Sequence, residues 1–290
     1  MVIIGTRPEA IKMAPVIQAM GNSAHYTPIL CSTEQHQDLI PPLLDFFDLS
    51  PHHSLPPFPS STDTYPPANL REYGLSAFVA HCLYYLPNIM KEVVPDMVLV
   101  QGDTNSALAG AMTAFHQKIP VGHVEAGLRS GDMAAPWPEE GNRRLISVLA
   151  NIHFAPTTAA ATNLQHEAIS PSLIHVTGNT GIDALLYAQA KLQKNTPPLP
   201  IPITPSLRDK RQILVTIHRR ENQGTPLQHI CDALRLIADR QDCYIILPLH
   251  PNPDVASPLR QMLGSHHNML SHLPRRIASS DYRILLDIRS

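Results

Sequence analysis

The 290-residue sequence predicts an α/β fold built on parallel sheets. Short apolar runs alternate with segments of helical period, the pattern of strands joined through crossover helices. A second proline-rich stretch near residue 200 divides that alternation in two, and the length suffices for two domains that each bury a core.

The first run, VII at residues 2–4, gives a strand that begins almost at Met1. Pro8 suits the first turn of the following helix, where a missing N–H costs nothing. Pro15 predicts a kink in that helix or a delay of its regular part. YTPILCS (26–32) reads as the second strand, followed by a helical stretch interrupted at Pro41-Pro42. Six prolines within 51–67 predict an irregular loop. A helix over about 69–92 leads to DMVLVQ (96–101), whose unbroken apolar run marks a fully buried strand. Residues 104–117 give a helix rich in small side chains, and IPVGHVE (119–125) the next strand. Further units follow at HFAP (153–156), SLIHVTG (172–178) and a helix over about 182–193. NTPPLPIPITPS (195–206), with five prolines, is the expected linker between a first domain (1–194) and a second (207–290). Beyond it, the strands QILVTIH (212–218) and CYIILP (243–248) flank a helix over 226–240. From 264 to 290 only ILLDI (284–288) stands out, so the second domain is expected to be incomplete.

Composition excludes several classes of function. A formal charge of −2 offers no bulk attraction to nucleic acid or an anionic membrane, so any anion binding is local. No apolar run approaches the roughly 20 residues of a membrane span. MVIIGTRPEA lacks a basic stretch followed by an apolar one, so no secretory signal is visible and a cytoplasmic location is expected. The four cysteines form no CxxC pair and read as reduced thiols rather than metal ligands. Sixteen histidines occur without an HExxH motif and are expected mostly at the surface. His123-x-Glu125 matches half of a zinc deaminase signature, but no PCxxC follows. Absence of GxGxxG, GxxxxGK[ST] and GxSxG leaves the dinucleotide, P-loop and serine-hydrolase readings without their fingerprints. No cofactor and no metal are expected.

Polar residues crowd the carboxyl ends of the strands, where open parallel sheets bind ligands. In GTRPEAIK, Gly5 permits a tight turn, and the next helix presents free N–H groups together with Arg7 and Lys12. That set suits a phosphate or pyrophosphate, although an arginine such as Arg7, taken alone, is more often a surface residue. Asp103 of QGDT either caps the next helix or holds a ligand. The stretch VEAGLRSGDMAAPWPEEGNRR (124–144) gathers Glu125, Asp132, Glu139 and Glu140 with three arginines and the only tryptophan, which is expected to pack the loop. Proton transfer by a carboxylate tuned through burial is one use of such a cluster. The other places Glu139 and Glu140 in a first helical turn, paired with Arg143 and Arg144. VTIHRREN (215–222) and LPLHPNP (247–253) end two strands of the second domain with His218, Arg219 and His250.

Taken in order, GTRPEAIKMAP, EQHQDL, VLVQGDT, IPVGHVEAGLRSGD, PWPEEGNRR, HVTGNTGIDALL, ILVTIHRREN and LHPNP are similar to motifs of the non-hydrolysing UDP-N-acetylglucosamine 2-epimerase family, over about residues 4–263. The resemblance implies a GT-B-type architecture of two Rossmann-like, doubly wound domains with the UDP-sugar in the cleft between them. It implies reversible interconversion of UDP-GlcNAc and UDP-ManNAc, without metal or nicotinamide, feeding cell-envelope polysaccharide synthesis. A homodimer is expected. Family chemistry removes the C2 proton while UDP leaves C1, giving 2-acetamidoglucal, and UDP adds back after protonation from the other face. On this resemblance Asp103, Glu125 and Glu139 are catalytic, and Arg7, Lys12 and His218 bind substrate. Gln35, His36, Arg219 and His250 match positions that hold a second, regulatory UDP-GlcNAc.

The sequence departs from the family pattern in three places. Ile217 stands where a small residue usually precedes the histidine and is expected to crowd the cleft. The first strand lacks several leading residues. Segments of GGIQEE and TERPE type and a closing helix are absent, so a C-terminally truncated member is expected. Two other expectations follow: an inactive fragment with at most weak UDP-sugar binding, or a hydrolysing relative that releases UDP and ManNAc.

Overall fold

The computed structural model describes residues 1–36, 39–58, 74–194, 210–217, 224–240, 242–249, 253–264 and 269–272. The expected linker and the ILLDI run lie outside these residues. The chain divides into two compact units, Met1–Ala188 and Gln189–Ser290.

Among the described residues, the first unit is built on a parallel sheet of seven strands. These are β1 (Val2–Ile4), β2 (Leu30–Ser32), β3 (His53–Ser54), β4 (Val98–Gln101), β5 (Val121–Val124), β6 (Ile152–Ala155) and β7 (Ile174–Val176), in the order β3-β2-β1-β4-β5-β6-β7. The strand order reverses between β1 and β4, the position where such sheets open a crevice. Every residue of β1, β4 and β5 is buried, as continuous apolar strands covered on both faces require. Among the described residues seven α-helices accompany the strands: α1 (Arg7–Gly21), α2 (Pro41–Phe46), α3 (Gly74–Val93), α4 (Asn105–His116), α5 (Glu139–Leu149), α6 (Thr158–His166) and α7 (Thr180–Lys194), the last running on past Ala188. Helix α4 explains its small residues by its packing. A Cβ on Gly110 would meet Ile3 Cδ1 at 2.8 Å, so α4 lies close against the sheet.

Several expectations are corrected. Pro15 does not delay the regular part of α1, which runs continuously over 15 residues with that proline inside it. Pro41-Pro42 opens α2 instead of interrupting it, because the first positions of a helix need no N–H partner. Strand β3 lies in the stretch read as irregular and pairs in parallel with β2 through His53 and Ser54. Most of the described histidines are exposed or half-buried, as expected, and His81, His123 and His153 are the buried ones among them. The four cysteines are free and buried.

In the second unit, β8 (Arg211–Leu214), β9 (Cys243–Pro248) and β10 (Met269–His272) form a parallel sheet in the order β10-β9-β8. Helices α8 (Thr225–Ala238) and α9 (Pro253–Leu263) accompany it. Strand β10 falls where no regular element was expected, and it pairs with β9 from Met269 to His272. Ile217 packs into this unit's core with Leu227, Cys231 and Leu249.

Gly5, directly after β1, is required for space and not for its backbone angle. A Cβ there would lie 1.9 Å from Ser106 Oγ and 2.1 Å from Thr33 Oγ1, two hydroxyls that hydrogen-bond to each other at 2.7 Å. Gly5→Ala therefore wedges these groups apart and destabilises the protein by about 1–3 kcal/mol, measured as a lowered urea midpoint at unchanged slope.

Candidate active site

Three strand ends build the site. Strand β1 leads through Gly5 and Thr6 into α1, β4 leads through Gly102 and Asp103 into α4, and β5 ends at Glu125. Glu125 has φ of +63°, a left-handed conformation uncommon for a side chain with a Cβ and typical of strained functional positions. Lys12, from the second turn of α1, places its Nζ 2.6 Å from both carboxylate oxygens of Glu125. Gln101 Nε2 donates to Glu125 Oε2 at 2.5 Å. Both partners of the ion pair are largely sheltered from water, with side chains 28% and 12% exposed.

Asp103 faces the same space. Thr104 caps α4, its Oγ1 accepting from the Ala107 N–H at 3.0 Å, so the capping alternative for Asp103 falls away. The Asp103 carboxylate instead receives Arg143 from α5. Burial raises its pKa, the Arg143 guanidinium opposes that rise, and the Glu139 and Glu125 carboxylates add to it. Asn142 Nδ2 donates to the Asp103 carbonyl at 2.9 Å and to Asn105 Oδ1 at 3.0 Å. His123 lies beneath this turn with Nε2 2.7 Å from the Gly102 carbonyl. Burial lowers its pKa to about 3, so the ring is neutral and Nε2 carries the proton that it donates.

These groups enclose a cavity of about 320 Å³ in the first unit. Of the residues expected at the site, Lys12, Gln35, His36, Asp103, Glu125 and Glu139 all line it. Gln35 Oε1 accepts from Ser106 Oγ at 2.7 Å, and His36 Nδ1 accepts from the Arg7 backbone N–H at 3.4 Å. The pKa of His36 is lowered by burial and by the nearby Arg7 charge. Arg7 itself is exposed at the first position of α1 and is not among the lining residues. His218, Arg219 and His250 lie outside the described residues. Among the described residues no cluster of histidine, cysteine, aspartate or glutamate has the arrangement to hold a metal ion.

Sequence reasoning passed over four members. Gln101, Asn142 and Arg143 hold Glu125 and Asp103 in place. Glu9 is fully buried and accepts from the Gly5 N–H (3.0 Å), the Thr6 N–H (2.7 Å), Thr6 Oγ1 (2.8 Å) and Thr104 Oγ1 (2.7 Å). Burial pushes its carboxyl up to about 6 against those hydrogen bonds. The signal for Glu9 was present in Thr6-x-x-Glu9, the spacing of a capping box. Trp137 is 69% exposed, so it does not pack the loop as expected. The loop is held instead by Glu140, whose buried carboxylate takes the Ser130 N–H at 3.0 Å and pairs with Arg144 at 3.1 Å and Arg143 at 3.5 Å.

Comparison with known proteins places this geometry in context. Residues 18–285 match the family model described as UDP-N-acetylglucosamine 2-epimerase. A UDP-N-acetylglucosamine 2-epimerase of Salmonella typhimurium (strain LT2) is 40% identical over 281 residues, covering 92% of this chain and 69% of that protein. The Campylobacter jejuni protein of the same name is 38% identical, covering 99% and 76% respectively. Among solved structures, a UDP-GlcNAc 2-epimerase from Neisseria meningitidis bound to UDP-GlcNAc superposes with a TM-score of 0.85 at 36% identity, covering 98% of this chain and 74% of that one. A Methanocaldococcus jannaschii UDP-GlcNAc 2-epimerase in complex with UDP-GlcNAc and UDP gives 0.73 at 30% identity, covering 97% and 74%. The fold class is thus α/β of GT-B type, with Rossmann-like units.

Glu140 supplies a pH test of the loop. Burial disfavours its charge, but hydrogen bonds from Ser130 and Arg144 outweigh burial and leave its pKa below the usual 4.5. A carboxyl lowered in the folded state stabilises above its unfolded pKa and loses that contribution as pH falls through the folded value. Glu140→Gln therefore lowers stability at pH 7 by about 1–3 kcal/mol, and thermal melts show the difference shrinking below about pH 4.

Proposed function

Because this chain belongs to the UDP-N-acetylglucosamine 2-epimerase family, we propose that it interconverts UDP-GlcNAc and UDP-ManNAc by inverting C2 of the sugar. One observation of the structure supports this above the others: Asp103, Glu125 and Glu139 face a single cavity, with Lys12 and Arg143 as counter-charges. Inversion at C2 through elimination needs a base on one face of the sugar and an acid on the other. A base takes the C2 proton while the C1–O bond breaks and UDP leaves with its electron pair, giving 2-acetamidoglucal. Protonation of C2 from the opposite face and return of UDP to C1 complete the exchange.

In this scheme Asp103 is a proton-transfer group, since its carboxyl faces the cavity and burial raises its pKa against the pull of Arg143. Glu139, at the start of α5, is the second. Glu125 with Lys12 orients the substrate. The N-terminal N–H groups of α1, Arg7 and Lys12 draw the departing pyrophosphate. His218 contributes to substrate binding, and Gln35, His36, Arg219 and His250 to a regulatory UDP-GlcNAc site. The proposal also comprises a cytoplasmic homodimer divided at residues 195–206 and supplying cell-envelope polysaccharide synthesis. Among the described residues no helix is long and apolar enough to cross a membrane.

Incubating the 290-residue chain with UDP-GlcNAc in heavy water, with products followed by NMR, tests the reaction. UDP-ManNAc deuterated at C2 is the expected product. Free ManNAc indicates hydrolysis instead, and a folded chain that neither exchanges C2 hydrogen nor releases UDP sinks the proposal. Asp103→Asn and Glu125→Gln each slow the exchange by about 10²–10⁴-fold, read as initial rates at saturating substrate.

A further inference from the structure

We propose that Glu9 is a positioning residue, whose carboxylate ties the first turn of α1 to Thr104 and thereby fixes Asp103 in the cavity wall. The role in catalysis rests on the reaction proposed above, whereas the geometric tie does not. Glu9 is fully buried and is not among the residues lining the cavity, so it has no direct part in binding. Its two oxygens have separate duties. Oε2 accepts from Gly5, from the Thr6 N–H and from Thr6 Oγ1, all local to the helix start. Helix capping needs nothing more. Oε1 accepts from Thr104 Oγ1 at 2.7 Å, a partner 95 residues away in sequence and adjacent to Asp103.

The turn from Gly102 to Asn105 is otherwise anchored from the opposite side. His123 holds the Gly102 carbonyl, Asn142 holds the Asp103 carbonyl, and Arg143 pulls on the Asp103 carboxylate. These ties come from β5 and α5. Glu9 supplies the tie from α1, the helix that also carries Lys12. The distance between Lys12 and Asp103 across the cavity is therefore set by a carboxylate behind the wall. Thr104 Oγ1 already accepts from Ala107, so its single proton is directed at Glu9. Glu9→Gln keeps the shape but offers Oε1 and an NH2 group in place of two acceptors. With the amide oxygen satisfying the helix start, the NH2 group meets Thr104, and the hydroxyl proton loses its acceptor.

The test compares Glu9→Gln, Thr104→Val and Thr104→Ser with the wild-type chain. The Asp103 carboxyl carbon is titrated by NMR in 13C-aspartate-labelled protein, assigned with Asp103→Asn, and circular dichroism confirms folding. Glu9→Gln and Thr104→Val disturb different neighbouring bonds and share only the loss of the bond that Thr104 Oγ1 donates to Glu9. Both are expected to move the Asp103 midpoint by at least about half a pH unit and to lower kcat about tenfold or more, with KM within about threefold. Thr104→Ser keeps the hydroxyl and retains both wild-type values. An Asp103 midpoint unmoved in the folded variants overturns the positioning role, as does a kcat loss that Thr104→Ser fails to rescue. If Glu9→Gln does not fold, the Thr104 pair decides the matter by the same criteria. A wild-type chain without conversion defeats the proposed reaction alone, because a displaced Asp103 midpoint still supports the tie.

Discussion

The contact between Lys12 and Glu125 depends on where the strand order turns back. Strand β1 continues through α1 to β2 on one side, and β4 continues through α4 to β5 on the other. Right-handed crossovers therefore put α1 and α4 on opposite faces and leave a crevice at the ends of β1 and β4. Lys12 reaches over that crevice to a residue two strands away from β1. Two sheltered charges at 2.6 Å are not an efficient way to stabilise a fold, since removing both from water offsets most of their attraction. What the pair does achieve is local. It keeps a cation and an anion at the mouth of a cavity where a charged ligand is able to exchange partners with them.

The run from Val124 to Arg144 shows how such charge is kept in order. Glu140 is buried, yet Ser130, Arg143 and Arg144 satisfy it, and the loop between β5 and α5 closes around it. Arg129 bridges α5 and the end of α6, meeting Ser147 at 2.9 Å and Glu167 at 2.6 Å. Arg143 belongs to both groups of charges, touching Glu140 and Asp103. Ions that hold the loop and ions that face the cavity are thus one network, and the structural part determines where the other part points.

Much of this architecture was legible in the residues. Strands β4, β5 and β9 announced themselves as continuous apolar runs, and their flanking polar residues marked the site. Lys12, Asp103, Glu125 and Glu139 lay at the ends of predicted strands or the start of a predicted helix. The losses have physical causes. Strands β3 and β10 are too short to carry periodicity, and pairing with a neighbour makes them strands. Gly5 looked like a turn glycine because sequence shows neither Ser106 nor Thr33 against it. Glu9 was passed over although its spacing from Thr6 is that of a capping box, and its second oxygen answers to a residue that only the folded sheet brings close. The burial of His123 and His153 was not legible because only the pairing of two adjacent strands places them side by side inside the sheet.

Asp103 brings these levels together. Burial alone would favour its neutral form, and Arg143 alone would favour the charged form. Nearby Glu125 and Glu139 push in the same direction as burial, so its protonation depends on how well their charges are neutralised. In the proposed reaction, an arriving pyrophosphate competes with Glu125 for Lys12. The Glu125 carboxylate so released adds to the repulsion felt by Asp103 and makes it a stronger proton acceptor only after the substrate is in place. In that scheme the coupling depends on the separation of Lys12, Glu125 and Asp103. Ties from His123 and Glu9 behind the cavity wall, and from Asn142 in its lining, bear on that separation.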